Sequence, residues 1–264
     1  MEVHHPSELQ DALAAVADGA MPLAGGTDLM VETNFGRIRP EHVVGLRRVS
    51  QMQTWEGNRI GSGVTWRRIE HDGPRALAQA ARTVGSPQIR NAGTIGGNLG
   101  TASPAGDGHP FLVAVDARIE LSSSSASREL GWREFFTGVK KTARAGDELI
   151  TAVLLPDDLP ERQEFAKIGV RNAMVIATVC AVVTRRDDGT TTVGLGSVGP
   201  TPMRAVRAEQ MISAVARPDE GDLREFQRLV SEDVQPISDH RSTEAYRRHA
   251  AGVLARRLLE RCLR

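Results

Sequence analysis

Two glycine-bearing segments hold the residues best suited to chemistry: Leu23-Ala-Gly-Gly-Thr-Asp-Leu29 and Asn91-Ala-Gly-Thr-Ile-Gly-Gly-Asn-Leu-Gly-Thr-Ala-Ser-Pro-Ala-Gly-Asp107. Paired glycines let a backbone take positive φ and admit a ligand where a Cβ would collide. Successive backbone N–H groups in such a segment can converge on an anion. Thr27, Thr94, Thr101 and Ser103 add hydroxyls at the same points, and Asn98 adds an amide. A helix opening just after Asp28 would contribute the positive end of its dipole. Two segments of this kind, on separate sheets, can clasp a pyrophosphate from opposite sides, with Asp107 placed to accept from sugar hydroxyls or a ring nitrogen. Either segment alone also has the composition of a turn. The second is longer than an ordinary structureless connection, and such length is usually functional.

Other motifs carry less. Gly194-Leu-Gly-Ser-Val-Gly199 matches the G-x-G-x-x-G pattern, but Pro200 and Pro202 follow at once, so no helix can open within the glycines as a dinucleotide fingerprint requires. No Gly-Lys-Ser/Thr occurs, which excludes a Walker loop. The seven histidines show no metal-ligand spacing with cysteines or carboxylates, and His4-His5 reads as a disordered or edge pair. No metal ligand and no general acid or base is assigned. Cys180 and Cys262 are too few for a disulfide framework or for the four cysteines of an iron–sulfur cluster. Cys180, in an apolar run, reads as an inert core thiol.

The elements that must position these segments follow from periodicity. Ser7 and Gln10 form a capping box for a helix with Leu9, Leu13 and Val16 on one stripe, ended by Gly19. Strands are expected at residues 21–24 and 43–46 with a helix from Leu29 to before Gly36, a small βαβ-like unit with parallel pairing. Residues 55–64 read as a hairpin turning at Gly57-Asn58. Pro74 opens a helix that buries Leu77, Ala81 and Val84. Residues 85–110 read as a long loop, 111–115 as helix, 119–122 and 148–155 as strands, and Ser122 to Ser125 as a surface loop. The acidic, proline-bearing stretch 156–160 is the expected domain boundary, giving domains 1–157 (subdomains about 1–52 and 53–157) and 158–264. Beyond it come strands at 164–169, 175–184 and 191–196, with a turn at Asp188-Gly189. Helices follow at 204–215, 222–233 and 242–261, the last with Leu254, Leu258 and Leu259 on one side and a solvated arginine face on the other.

Composition bounds the rest. The 264 residues carry no formal net charge, 40% hydrophobic and 25% charged residues, so nothing electrostatic points to nucleic acid or an anionic membrane. Neither a signal peptide nor an apolar run of spanning length is present, and a cytoplasmic protein is expected.

At the two glycine segments the chain resembles a known family, the flavoprotein (medium) subunits of molybdenum hydroxylases of the xanthine dehydrogenase and carbon monoxide dehydrogenase type. Ala24-Gly-Gly-Thr-Asp-Leu29 is similar to its first FAD loop, and Thr94-Ile-Gly-Gly-Asn-Leu with Thr101-Ala-Ser-Pro-Ala-Gly-Asp107 to its second. The likeness continues through Asp147-Glu-Leu-Ile150, Phe165-Ala-Lys167, Gly199-Pro-Thr-Pro-Met-Arg204 and Glu244-Ala-Tyr-Arg-Arg248, in order along the whole chain. It implies an α+β fold: a two-subdomain FAD-binding domain of the PCMH/VAO type, then a small C-terminal domain of three antiparallel strands and three helices. It implies FAD contacts from Leu23, Ala24, Gly25, Gly26, Thr27, Asp28 and Leu29, and from Thr94, Ile95, Gly96, Gly97, Asn98, Thr101, Ser103 and Asp107. Ile150 and Lys167 would lie near the isoalloxazine ring. It implies partners too: an iron–sulfur small subunit and a molybdopterin-binding large subunit, which alone would hold those cofactors, with NAD+ or another acceptor taking the electrons. With Tyr246 the single tyrosine, a family feature that depends on an aromatic beside the flavin is not expected. Two alternatives stand beside this reading: a free-standing FAD-dependent oxidase or reductase using a base such as His109, and a nucleotide-binding module without electron transfer.

Overall fold

The structure, a computed structural model, describes residues 1–172 and 174–264. The chain opens with β1 (Glu2–His4), α1 (Leu9–Ala17), β2 (Met21–Leu23), α2 (Leu29–Asn34) and β3 (His42–Gly45), followed by a 3-10 turn at Leu46–Arg48 and α3 (Ser50–Gln53). The strands form a three-stranded sheet in the order β1-β3-β2, with both pairings parallel. The parallel unit thus forms as its periodicity demands. Its first helix is capped differently: Glu8 is the N-cap and supplies no side-chain bond, so Ser7 and Gln10 make no capping box. Ala12, Leu13 and Val16 are buried under this sheet with Val44, Leu46, Val49 and Met52.

A five-stranded sheet follows, built from β4 (Trp55–Glu56), β5 (Arg59–Gly61), β6 (Arg118–Ser122), β7 (Ser127–Gly131) and β10 (Leu149–Leu154) in the order β4-β5-β10-β6-β7. Its pairings are all antiparallel, and Gly57 at φ 54° turns the first hairpin. Ser122 is not loop as expected. It is a buried strand residue within hydrogen-bonding distance of Thr151 Oγ1 at 3.0 Å; Ser123 is half-buried, and Ser124 and Ser125 are exposed. Between β5 and β6 lie five helices: α4 (Trp66–Asp72), α5 (Arg75–Thr83), α6 (Pro87–Ala92), α7 (Ile95–Thr101) and α8 (His109–Ala114). A four-residue helix α9 (Trp132–Phe135) and a small ribbon, β8 (Phe136–Gly138) with β9 (Lys141–Thr142), stand between β7 and β10.

The expected loop over residues 85–110 is therefore largely helical. Each helix is six or seven residues long, too short to display an apolar period, and each is fixed by its ends. Ser86 and Thr94 cap α6 and α7 by accepting from the Ile89 and Gly97 N–H groups. Pro87 and Pro110 sit in first turns, where a missing N–H costs nothing.

The C-terminal part is a four-stranded antiparallel sheet, β11 (Arg162–Ile168), β12 (Val179–Arg185), β13 (Thr191–Gly196) and the two-residue β14 (Met203–Arg204), one short strand more than expected. Helices α10 (Val206–Ser213), α11 (Glu220–Asp233) and α12 (Glu244–Cys262) cover it. Arg247 of α12 is not solvated as the arginine face was expected to be. It is buried, donating to the carbonyls of Thr178 and Ser197 and to Asp239. Val179, Ala181, Val183 and Leu195 pack with Phe226, Leu258 and Leu259 in the core on this side. Cys180, Val182 and Phe165 look the other way and share a core with Phe111, Leu112 and Leu77. Packing is thus continuous across residues 156–160. Gly194 belongs to this packing and not to a nucleotide fingerprint: a Cβ there would fall 1.9 Å from the Pro110 carbonyl oxygen.

Candidate functional site

The first glycine segment leaves β2 at Leu23 and turns into α2. Gly26 takes φ +72°, a conformation glycine adopts without penalty. Gly25 is required by close approach, since a Cβ would stand 1.9 Å from the Ala92 carbonyl oxygen and 2.9 Å from Gly93 Cα. The segment is therefore seated on the backbone that enters the second one. Among the described residues, none accepts a hydrogen bond from the N–H groups of residues 25–28. Asp28, the N-cap of α2, does not cap that helix with its side chain. Its carboxylate accepts a 2.6 Å hydrogen bond from Thr101 Oγ1, which ties the two segments together at their far ends.

The second segment is the helix α7 and the turn after it. Its first-turn N–H groups are consumed internally: Ile95 donates to Val64 O at 3.1 Å, Gly96 to Ser62 O at 2.8 Å, and Gly97 to Thr94 Oγ1 at 3.0 Å. A run of consecutive unpartnered N–H groups is thus found in the first segment and not in the first turn of α7. What α7 presents is a bare face. Gly97 and Gly100, three apart and exposed, lie on one side of the helix. A Cβ on Gly97 would meet only Thr94 Oγ1 at 3.2 Å, and one on Gly100 only Ile150 Cδ1 at 3.8 Å. No backbone opposes a Cβ at either place, and only Thr94 Oγ1 would have to give by a few tenths of an ångström at Gly97, although glycine weakens a helix by ~0.5–1 kcal/mol relative to alanine. Gly96 differs, for a Cβ there would run into Ser62. Ile150, nearly buried on β10, lies against the bare face beside Gly100.

After α7 the chain turns at Ala102, φ 45°, and Ser103 Oγ accepts from the Ala105 N–H at 3.3 Å. The turn delivers Asp107 into the interior, where Lys167 Nζ donates to its Oδ2 at 2.6 Å and Thr83 Oγ1 approaches the same oxygen at 3.0 Å. Both side chains of the pair are 8% exposed. Burial pushes the Asp107 carboxyl above its ordinary value, against the pull of the Lys167 charge and of both hydrogen bonds. Asp107 Oδ1, equally buried, has no partner among the described residues. Lys167 is placed by one stripe of α5, four residues apart: Arg75 bonds Glu164 at 2.5 Å, Gln79 accepts from the Phe165 N–H at 2.7 Å, and the Thr83 carbonyl receives Lys167 at 3.3 Å. Sequence reasoning missed Thr83. Its only signal was the polar i, i+4, i+8 stripe on an alanine-rich helix.

His109 is not a base facing a ligand. It is fully buried, with Nε2 3.2 Å from the Asn98 carbonyl and its ring 4.8 Å from that of Phe136. Burial lowers its pKa from 6.5 to about 4. The neutral ring donates to Asn98 O, holding α7 to α8. The free-standing oxidase reading thereby loses the base it named. Cys180 is fully buried and its thiol is pushed far up by desolvation, as expected of a core cysteine. A second convergence escaped the sequence: Glu2, His4 and His42 meet on the parallel strand pair at the N-terminus.

Two family models account for nearly the whole chain. Residues 1–158 match the FAD binding domain in molybdopterin dehydrogenase, and residues 164–262 match the CO dehydrogenase flavoprotein C-terminal domain. The chain belongs to this family of molybdopterin dehydrogenase flavoprotein subunits. The xanthine dehydrogenase FAD-binding subunit of Escherichia coli O157:H7 is 30% identical over 274 aligned positions, covering 97% of this chain and 94% of that protein. The nicotinate dehydrogenase FAD-subunit of Eubacterium barkeri is 34% identical over 208 positions, 72% of this chain and 70% of that protein. A chain in the crystal structure of the Cu,Mo-CO dehydrogenase in its cyanide-inactivated form superposes with a TM-score of 0.90 at 30% identity, over 100% of this chain and 97% of that one. The chain is thus an oxidoreductase subunit with an FAD-binding domain of α+β fold and a C-terminal flavoprotein domain. No helix among the described residues is long and apolar enough to cross a membrane.

Proposed function

We propose that this chain is the electron-transfer subunit of a multi-subunit molybdenum hydroxylase, receiving electrons from iron–sulfur clusters on a small partner subunit and delivering them to NAD+ or another acceptor. Molybdopterin would sit on a large partner subunit that selects the substrate, and the assembly would be cytoplasmic. The relatives act, by their names, on substrates as unlike as xanthine and nicotinate, which agrees with substrate choice lying outside this chain. The two cysteines, both buried, fit the placing of clusters elsewhere. The chain would act as two domains dividing at residues 156–160.

The observation that carries this reading is the pairing of unpartnered N–H groups at residues 25–28 with the bare face of α7. A dinucleotide such as FAD needs donors for its diphosphate, a backbone it can approach closely, and acceptors for its hydroxyls or ring N–H. Residues 23–29 would supply the donors, with Thr27 adding a hydroxyl. Residues 94–98 would supply the approach, with Gly97 bare and Thr101 and Ser103 beside it. Asp107 Oδ1 would supply a buried acceptor, its twin oxygen held by Lys167. Ile150 would exclude water from the bare face. Bound FAD supplies the redox chemistry, and the chain's part is position and electrostatics. No side chain here needs to move a proton.

Visible absorption of the chain purified alone, with release and identification of any chromophore, tests the proposal. The two flavin bands, with FAD in the extract, are the expected result. Folded, colourless protein that takes up no added FAD overturns it. Full substrate turnover by the chain with no partner subunit would overturn the electron-transfer role while leaving the cofactor in place.

A further inference from the structure

We propose that the N-terminal strand pair carries a binding site for a divalent transition cation of the zinc or nickel class, formed by Glu2, His4 and His42. On β1, residues 2 and 4 point to the same face, because side chains alternate along a strand. β3 runs parallel beside it with Glu2 opposite His42, so the third side chain joins the same face. His4 Nε2 stands 3.8 Å from one carboxylate oxygen of Glu2, and His42 Nδ1 stands 3.5 Å from the other. One ligand atom from each residue can be chosen so that all lie within 4.8 Å of one another.

Ligand atoms about 2.0–2.1 Å from a tetrahedral zinc stand roughly 3.3–3.5 Å apart. Closing the triad on a cation therefore asks only small rotations of side chains that are more than half exposed and free to turn. Two imidazoles and a carboxylate suit zinc or nickel and not the all-oxygen preference of magnesium. Three protein ligands leave further positions to water. His4 also borders an open groove of about 320 Å³ with His5, Pro6, Asp11 and Ala15, which gives a hydrated cation a path in.

The site would act as a staple. β1 is a three-residue edge strand whose only sheet neighbour among the described residues is β3. A cation held by Glu2 and His4 on one strand and His42 on the other crosslinks them, and by mass action it stabilises the state that holds it.

The test is calorimetric titration of Zn2+ into the FAD-loaded full chain bearing no added histidine tag, beside Glu2→Gln, His4→Ala, His42→Ala and, as a control, His71→Ala. All four positions are exposed, so each variant keeps its fold. The expected result is one Zn2+ per chain, undisturbed by excess Mg2+, with a rise in melting temperature. Affinity should fall at least roughly tenfold in the three site variants and stay unchanged in the control. No saturable binding, equal binding by all variants, or displacement of Zn2+ by Mg2+ would overturn the proposal.

Discussion

Asp107 and Lys167, sixty positions apart, form a 2.6 Å ion pair that links the turn after α7 to the first strand of the C-terminal sheet. Each side chain is almost sealed from solvent, and among the described residues only one carboxylate oxygen is engaged. The pair therefore does two things at once. It binds the two halves of the chain, and it fixes the direction in which the second oxygen is presented.

Removing the ammonium by Lys167→Met should destabilise the chain by about 3–5 kcal/mol at neutral pH, the usual penalty for stranding a buried charge. The sign of the pH dependence follows from burial. The Asp107 carboxyl already lies above its ordinary value, and without Lys167 it rises further. A carboxyl raised on folding contributes stability below its unfolded value and loses it as pH climbs through the folded one. The deficit should therefore shrink on acidification, and Asp107→Leu in the same chain should restore much of it. Urea denaturation at several pH values measures both, and a deficit independent of pH would show that the carboxylate is not the stranded group.

His109 predicts an acid limb of the opposite origin. Its folded pKa is about 4 against an ordinary 6.5, so the neutral ring contributes stability above 6.5 that drains away as pH falls toward 4. The full loss amounts to about 3 kcal/mol. His109→Gln, which can still donate to the Asn98 carbonyl, should flatten this limb while retaining FAD. Denaturation midpoints across that range decide the matter. A loss of turnover with unchanged cofactor content would instead revive His109 as a base.

The three glycines at 25, 96 and 97 should respond differently to alanine. Gly97→Ala should fold normally, its ~0.5–1 kcal/mol of helix propensity set against a 3.2 Å approach to Thr94 Oγ1, and bind FAD at least roughly tenfold more weakly. Gly25→Ala and Gly96→Ala should fail to fold well, because each Cβ strikes backbone. Melting temperature and flavin content, read on the same samples, separate the two kinds of failure. Full flavin content in Gly97→Ala would mean that the diphosphate lies elsewhere.

What could be read from the sequence was local chemistry. The glycine segments announced themselves by residue type, and β12 and β13 by β-branched runs around Asp188-Gly189. The helix at residues 109–114 was legible in its apolar residues, but those at 87–92 and 95–101 were not: each is under two turns long, and the second is glycine-rich and is fixed by its Thr94 cap and by carbonyls at positions 62 and 64. Nor could composition tell which glycines face protein and which face open space, since Gly96 and Gly97 differ only in what lies opposite. The partner of Asp107 and the meeting of His42 with Glu2 depend on strand register across long separations, as does the inward turn of Arg247.

The seating of Gly25 on the Ala92–Gly93 backbone has a kinetic consequence. That contact closes a loop of nearly seventy residues, and it cannot form until the parallel unit and the helices beyond the first hairpin are each in place. The cradle is accordingly complete only once both units have formed. FAD capture, read as the change in flavin fluorescence because free flavin is already yellow, should therefore lag behind the secondary structure of a refolding sample.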